Sequence, residues 1–389
     1  MDGRVVIVGA GIAGLATAVA LQQRGYEVTV YEKRTDTSMG AAISIWPNAL
    51  AALNHIGLGD AVRAAGGRVT TGALRSRNGS WLRRPAAERF VKALGEPLVV
   101  VQRSVLRDIL TAVLAAETVE YGLAVNGVIT TGDSVRLRLS NATVCTADAV
   151  VGADGTHSVM ARHLNGPLAD RYAGYTAWRG LARYALDPRL AGETLGPGVE
   201  IGHVPVGPTS TYWFLTQRAP EGHRSPQGEL RYLQAKFAGW AEPIPHILGA
   251  TPSADVLRDD VYDRALARHW ARGRVVLVGD AAHPMRPHLG QGGCQGLEDA
   301  AILAAFIDRN ADLATSFAQF AAFRRPRIES LVRKSKFVGE VLNLRPTFLS
   351  AAVSRATVLI PEALLTRQLA SVAAQSAFVF PPGGDTRQR

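Results

Sequence analysis

Val5-Val6-Ile7-Val8-Gly9-Ala10-Gly11-Ile12-Ala13-Gly14-Leu15 is the stretch whose reading decides the fold. Its first four residues are all β-branched with no polar alternation, which predicts a parallel strand buried on both faces. Three glycines in the spacing Gly-x-Gly-x-x-Gly follow, then a helical pattern from Leu15 to Arg24 that Gly25 stops. Val28 to Tyr31 predicts a second strand, ended by Glu32, 18 residues beyond Gly14. Strand, glycine turn, helix and strand within about 30 residues make a βαβ unit.

Each glycine has a distinct task in such a turn. Gly9 permits the tight bend, Gly11 lets the backbone approach a pyrophosphate, and Gly14 lets the helix pack closely on the strand. Ala13, at the start of that helix, joins the cofactor-binding set. The helix start offers free N–H groups and the positive end of the macrodipole to the phosphates. Glu32 can accept hydrogen bonds from a ribose diol. The motif alone admits NAD or FAD; Glu32 argues against a 2′-phosphate here, although Lys33 and Arg34 stand beside it.

A chain of 389 residues, 47% hydrophobic and 20% charged, has room for one large or two interlocking domains. Two cysteines, Cys145 and Cys294, exclude a disulfide framework and fit a reducing cytoplasm. Cys294 reads as a small filler. The net charge of +10 comes from arginines scattered along the chain, without a basic run or nucleic-acid module. We therefore expect no nucleic-acid partner and a surface that attracts anionic nucleotides or acidic substrates. No basic cluster precedes the apolar Val5–Leu21, as a signal peptide would require. Arg355, Glu362 and Arg367 divide the apolar 348–380 stretch, so no integral membrane segment is expected, and the expected location is cytoplasmic.

Farther on, Asn48 reads as the N-cap of a helix, and Ser104 to Ala116 as a second, one-sided helix. Val135–Leu139 and Thr143–Val150 read as strands. Alternation in Tyr175–Arg183, Val199–Val206 and Thr211–Thr216 predicts antiparallel strands, before Val275–Val278 returns to the buried-strand pattern. The expected class is α/β: a Rossmann-like nucleotide-binding domain (1–70, 98–167 and 266–335) with an inserted, mostly antiparallel substrate sheet (71–97 and 168–265). C-terminal helices over 336–380 and a disordered tail, 381–389, complete it. Arg324-Arg325-Pro326-Arg327 reads as a solvated helix end or an interdomain contact.

Two further constellations place an acid just after a buried strand. One is Gly152-Ala153-Asp154-Gly155-Thr156-His157-Ser158. The other is Gly279-Asp280-Ala281-Ala282-His283-Pro284, continuing through Met285-Arg286-Pro287-His288-Leu289-Gly290-Gln291-Gly292-Gly293. Either acid suits a sugar or ribityl hydroxyl, and the last glycines open a second helix N-terminus. In order and separation, the three motifs resemble the class A flavoprotein monooxygenases, the p-hydroxybenzoate hydroxylase family, over residues 4 to about 335.

The resemblance implies non-covalent FAD, with the first glycine turn on the pyrophosphate and Glu32 on the adenosine ribose. It implies that Asp154 serves FAD and NAD(P)H, and that Asp280 contacts the ribityl-pyrophosphate region. Pro287, Gly290, Gly292 and Gly293 would line the flavin, Arg103 would contact FAD, and the Val125 backbone would meet adenine. It implies NADPH or NADH as reductant, O2, and hydroxylation of a small aromatic compound via a C4a-hydroperoxyflavin. Gly40-Ala41-Ala42-Ile43-Ser44-Ile45-Trp46-Pro47-Asn48-Ala49 looks like the family's flavin-side loop, most similar to urate hydroxylases and 3-hydroxybenzoate 6-hydroxylases.

There are departures. Ala161 stands where the Asp-Gly motif usually carries arginine, with Arg162 one later. Glu200 replaces the substrate arginine of urate hydroxylases, whose tyrosine is matched by Tyr212; urate is thus not the expected substrate. Tyr212, His203 and Arg286 are the catalytic candidates, set against core packing for the first two and a solvated arginine for the third. His283 reads as structural. No metal-ligand spacing occurs. No second Gly-x-Gly-x-x-Gly exists, which fits transient nicotinamide docking. The alternatives are a flavin dehydrogenase or reductase, or a non-catalytic FAD-binding protein; a monomer or homodimer fits either.

Overall fold

The computed structural model describes residues 3–35, 41–346, 349, 352, 353 and 356–381. The βαβ unit forms as the glycine spacing demands. Strand Arg4–Val8 pairs in parallel with Glu27–Glu32, and helix Ile12–Gln22 crosses between them. They belong to a six-stranded sheet ordered Ala271–Arg272, Val275–Leu277, Ala149–Gly152, Arg4–Val8, Glu27–Glu32, Val119–Tyr121. Only the Ala271–Arg272 edge runs antiparallel to its neighbour. Val5, Val6, Ile7, Val275, Val276 and Leu277 are fully buried, as strands covered on both faces must be.

A second, seven-stranded sheet follows the order Leu257–Arg264, Asp170–Ala182, Thr211–Gln217, Val199–Pro205, Gly192–Gly196, Ala73–Ser76, Trp81–Arg83. All its pairs are antiparallel except Gly192–Gly196 with Ala73–Ser76. Trp178, Ile201, Trp213 and Leu215 pack into one core with Leu233 and Phe237 of helix Glu229–Phe237. The architecture is therefore α/β with an inserted, mostly antiparallel sheet. A small sheet, Ala42–Ile45, Leu98–Gln102 and Gly67–Val69, links the two layers.

Several local expectations fail for tertiary reasons. The single strand expected over 143–150 is two, Val144–Ala147 and Ala149–Gly152, in different sheets. The chain turns at Asp148, whose carboxylate accepts the Arg4 N–H at 2.7 Å. Asn48 is not a cap: the helix is Pro47–Asn54 with Trp46 at the N-cap, and the Asn48 side chain donates to Gln291 and Glu298 instead. The helix expected over 104–116 spans Arg103–Thr111.

Helix Leu313–Leu342 runs unbroken across the boundary expected at 335 and contains Arg324 to Arg327 in its interior. Arg324 is 1% exposed, not solvated. Its Nη1 meets Glu298 and its Nε meets Asp299, both at 2.7 Å. The C-terminal stretch turns back onto this body, with Arg327 donating to the Val372 carbonyl and Phe380 stacked on His55. Residues 382–389 of the expected tail lie outside the described residues. Among the described residues no helix is long and apolar enough to cross a membrane.

Removing Arg324 leaves buried Asp299 with His283 as its charged partner and Glu298 with the longer Arg327 contact at 3.1 Å, so Arg324→Met should cost about 3–5 kcal/mol of folding stability. Urea denaturation of the variant beside the parent protein measures this.

Candidate active site

The three glycine-rich motifs meet at the ends of the parallel strands. Gly9 has φ +105, and a Cβ there would lie 2.5 Å from the Ala153 carbonyl, so the first turn sits on the Asp154-Gly155 motif. A Cβ on Gly14 would lie 2.0 Å from the Gly9 carbonyl oxygen. Gly279 and Gly296 close on Ala13, bringing the Gly-Asp turn and helix Gly292–Ile307 against the start of helix Ile12–Gln22. Gly290 takes a left-handed φ of +60 beside Trp46, whose indole Nε1 is buried without a partner, and Gly293 lies under Ile43. Gly40 of the flavin-side loop lies outside the described residues.

Within these otherwise buried segments, Gly11, Asp280, Pro287 and Gly290 are exposed, and a Cβ on Gly11 or Gly155 would touch nothing. That open line, flanked by two helix N-termini, fits an extended dinucleotide with central phosphates. At one end, Glu32 accepts the Ala10 N–H at 2.8 Å and the Arg34 N–H at 3.0 Å. Lys33 is exposed beside it, and Val125 is buried where the chain passes Glu32. Asp154 is used locally: it accepts from Ser158 Oγ and the Val159 and Met160 N–H groups, capping helix Val159–Asn165. Burial nonetheless pushes its carboxyl above the usual range.

The seven-stranded sheet presents one face to this groove. Cross-strand register puts Tyr175, Arg179, Glu200, Tyr212 and Phe214 on that face, since side chains alternate with period two. Gly202 lies opposite Phe214, and a Cβ there would lie 2.1 Å from the ring, so glycine seats the phenyl group. The Tyr212 and Phe214 centroids are 6.1 Å apart. Burial raises the pKa of the Tyr212 hydroxyl, while the positive charges of Arg179 and Arg103 work against that rise. Arg103 opens helix Arg103–Thr111 and feels Asp280 as well as Tyr212, tying the sheet face to the groove.

The Pro287–Leu289 turn is fastened to the same face. The fully buried His288 imidazole places Nδ1 2.9 Å from Glu200 and Nε2 2.9 Å from the Tyr175 hydroxyl. Thr216 donates to the same Glu200 oxygen at 3.0 Å. Burial and the charge of Glu200 push the Glu193 carboxyl well above its ordinary value.

A family model described as FAD binding domain matches residues 2–335. The chain is 36% identical over 340 residues to the aurachin C monooxygenase/isomerase of Stigmatella aurantiaca, covering 87% of this chain and 89% of that one. It is 35% identical to the 3-amino-4-hydroxybenzoate 2-monooxygenase of Streptomyces cremeus, covering 88% of each. Klebsiella pneumoniae HpxO, solved with FAD and uric acid, superposes with a TM-score of 0.88 at 28% identity, covering 95% of this chain and 96% of that one. The chain belongs to the class A FAD-dependent monooxygenases. It is an oxidoreductase that binds FAD.

The fold of this monooxygenase separates its three catalytic candidates. Tyr212 faces the groove. His203 pairs across from Trp213, on the opposite face, and is fully buried with Nε2 3.3 Å from Thr194. Arg286 is neither solvated nor free: it makes a two-point ion pair with Asp263 (2.8 and 2.6 Å) and lies 5.7 Å from the Tyr175 ring centroid. Its guanidinium lies against Tyr175, whose hydroxyl meets His288 at 2.9 Å. His283 is buried 2.6 Å from Asp299. Arg179, Tyr175 and His288 were not singled out as catalytic. Tyr175 and Arg179 lie in the alternating strand expected over 175–183, the signal that could have found them; His288 carried none. Among the described residues no group of acids, histidines or cysteines is arranged to hold a metal.

Two predictions follow from the geometry. Gly14→Ala collides with backbone and should destabilise the chain even without FAD. Gly11→Ala meets open space and should change that stability by less than about 1 kcal/mol while weakening FAD binding. Thermal melts and fluorescence titration with FAD separate these effects.

His203 is held neutral, its pKa lowered to about 4 by burial and then by the charge of Arg75. An imidazole in the unfolded chain titrates near ~6.5. The unfolded state therefore binds the extra proton first, so this contribution is complete above that pH and declines as pH falls towards about 4. His203→Gln should flatten that segment of a urea-derived stability–pH curve, and an unchanged slope would remove His203 as its source.

Proposed function

We propose that this monooxygenase uses NAD(P)H and O2 to hydroxylate a small, electron-rich aromatic or phenolic compound held between the Pro287–Gly293 segment and the Tyr212 face of the sheet. The observation that carries this reading is the buried Tyr212 hydroxyl beside the Phe214 ring, on a sheet face that feels the charges of Arg103 and of Arg179, the latter ion-paired to Asp259. An aromatic wall with a hydroxyl donor and positive charge suits a phenol that reacts as its anion. The relative named for 3-amino-4-hydroxybenzoate supports an aromatic substrate.

Bound FAD supplies the redox and oxygen-activating chemistry. The residues proposed to hold it are Gly9, Gly11, Ala13 and Gly14 at the pyrophosphate, Glu32, Lys33 and Val125 at the adenosine end, Asp154, Asp280 and Arg103 along the middle, and Pro287, Gly290, Gly292 and Gly293 at the ring. Tyr212, its pKa raised, keeps its proton at neutral pH and donates a hydrogen bond to the substrate oxygen. Arg103 offsets the charge of the ionised substrate, and Arg179, braced by its ion pair with Asp259, supports it from the sheet. Phe214 and the buried sheet face exclude water. Arg286 and His203 act at a distance, the first bracing Tyr175 and the second filling the core.

Urate is disfavoured, because Glu200 puts a carboxylate on this face and that carboxylate is engaged by His288 and Thr216. The single dinucleotide motif favours a nicotinamide that docks only for flavin reduction.

A panel of phenols assayed under 18O2 tests the reaction. The expected result is substrate-accelerated NAD(P)H oxidation with one labelled oxygen in the product. Oxidation without label in any product would instead support a dehydrogenase or reductase. With the best substrate, Tyr212→Phe and Arg179→Gln should each lower kcat/KM by about tenfold to a hundredfold, as loss of a charge-assisted hydrogen bond does. Unchanged kinetics in both would overturn their roles.

A further inference from the structure

Beyond Arg286, on the side away from His288, lies a cavity of about 340 Å3 between the start of strand Asp170–Ala182, strand Leu257–Arg264 and the end of helix Leu313–Leu342. Two of its cations are matched: Arg286 by Asp263, and Lys336 by Glu340 at 4.0 Å. Arg171, Arg218 and Arg345 also line it, and none forms an ion pair among the described residues. Arg218 donates through Nη1 to the Asn343 carbonyl at 2.6 Å, while its Nε is buried without a partner. A second cavity of about 440 Å3 shares Arg218 and Arg345 and adds Lys236. Burial and the like charge of Arg345 lower the pKa of Arg218, a repulsion that a bound anion would relieve.

We propose that these neighbouring cavities, which share Arg218 and Arg345, bind the phosphate of a small phosphorylated ligand, gripped by Arg171, Arg218 and Arg345 with Lys236 at the far end. Converging guanidinium forks suit a dianion with three acceptor oxygens, whereas a carboxylate answers one fork. Both volumes fall in the usual range of small-molecule sites, about 300–1,000 Å3. Two sources share this chemistry: the phosphates of the nicotinamide dinucleotide, or a separate phosphorylated metabolite. Occupancy reaches the active site through Arg286, whose guanidinium faces Tyr175, whose hydroxyl in turn meets His288. The site stands whether or not the proposed hydroxylation does, because binding is read without turnover.

Isothermal titration of the full, FAD-loaded chain with inorganic phosphate, 2′,5′-ADP and benzoate tests it. Both phosphate probes should bind more tightly than benzoate. Arg345→Gln and Arg171→Gln, both at exposed positions, should each weaken 2′,5′-ADP by about tenfold, while Arg136→Gln, exposed in another sheet, leaves it unchanged. A rise in the KM for NADPH, with or without one for NADH, in the same variants assigns the site to the reductant; binding with neither KM changed assigns it to a separate ligand. No binding of either phosphate probe, equal binding of benzoate, or unchanged affinity in both cavity variants would overturn the proposal.

Discussion

Arg324 lies in the dry centre of the nucleotide-binding layer between two carboxylates, and the groove takes its shape from that ionic cluster. Asp299 accepts from Arg324 with one oxygen. With the other it accepts the Gly279 N–H at 2.8 Å and faces His283 at 2.6 Å. The turn that presents Asp280 is thereby tied to a helix some twenty residues later. Glu298 meanwhile takes the amide of Asn48, linking the flavin-side segment to the same point. Burial opposes the charge on Asp299, but His283 and Arg324 outweigh it and hold its pKa at about 2. Such a cluster tolerates burial because each carboxylate meets more than one donor, Arg327 adding a second guanidinium to Glu298 at 3.1 Å; removing Arg324 leaves Asp299 with His283 as its charged partner.

A second polar cluster joins the two layers. His288 belongs to the turn before helix Gly292–Ile307, yet its partners Glu200 and Tyr175 belong to the seven-stranded sheet. The sheet face is thus registered against the groove by directional contacts, which set distance and angle more sharply than apolar packing does. Gly202 and Phe214 show the complementary device: an absent side chain on one strand makes room for a ring from the next. In the proposed reading, that registered face forms one wall of the substrate pocket. Relatives similar over most of the chain are named for quite different compounds, such as aurachin C and 3-amino-4-hydroxybenzoate.

Legibility in the sequence tracked the range of the interaction. The first strand, turn and helix were readable because β-branched runs and glycine spacing act through local backbone geometry. The strands Val199–Pro205 and Thr211–Gln217 emerged within a residue or two of expectation from period-two alternation. Errors gathered where a distant partner overrides local preference. Asn48 looks like a cap until Gln291 and Glu298 claim its amide. Arg324 looks solvated because an arginine-rich stretch usually is, and nothing near it in the chain announces the carboxylates that neutralise it.

For the candidate site the division is equally physical. The sequence by itself determined that a dinucleotide would lie on a glycine turn at a helix N-terminus, since Gly9, Gly11 and Gly14 act within a few residues of one another. It also named Tyr212 as a catalytic candidate and Glu200 as a departure from the urate hydroxylases. Only the tertiary structure decided that Tyr212 would face Arg103 and Arg179, while His203 turned into the core and Arg286 closed on Asp263. Those outcomes depend on strand register and on partners far apart in the chain, and a shift of one residue in pairing would exchange the two faces.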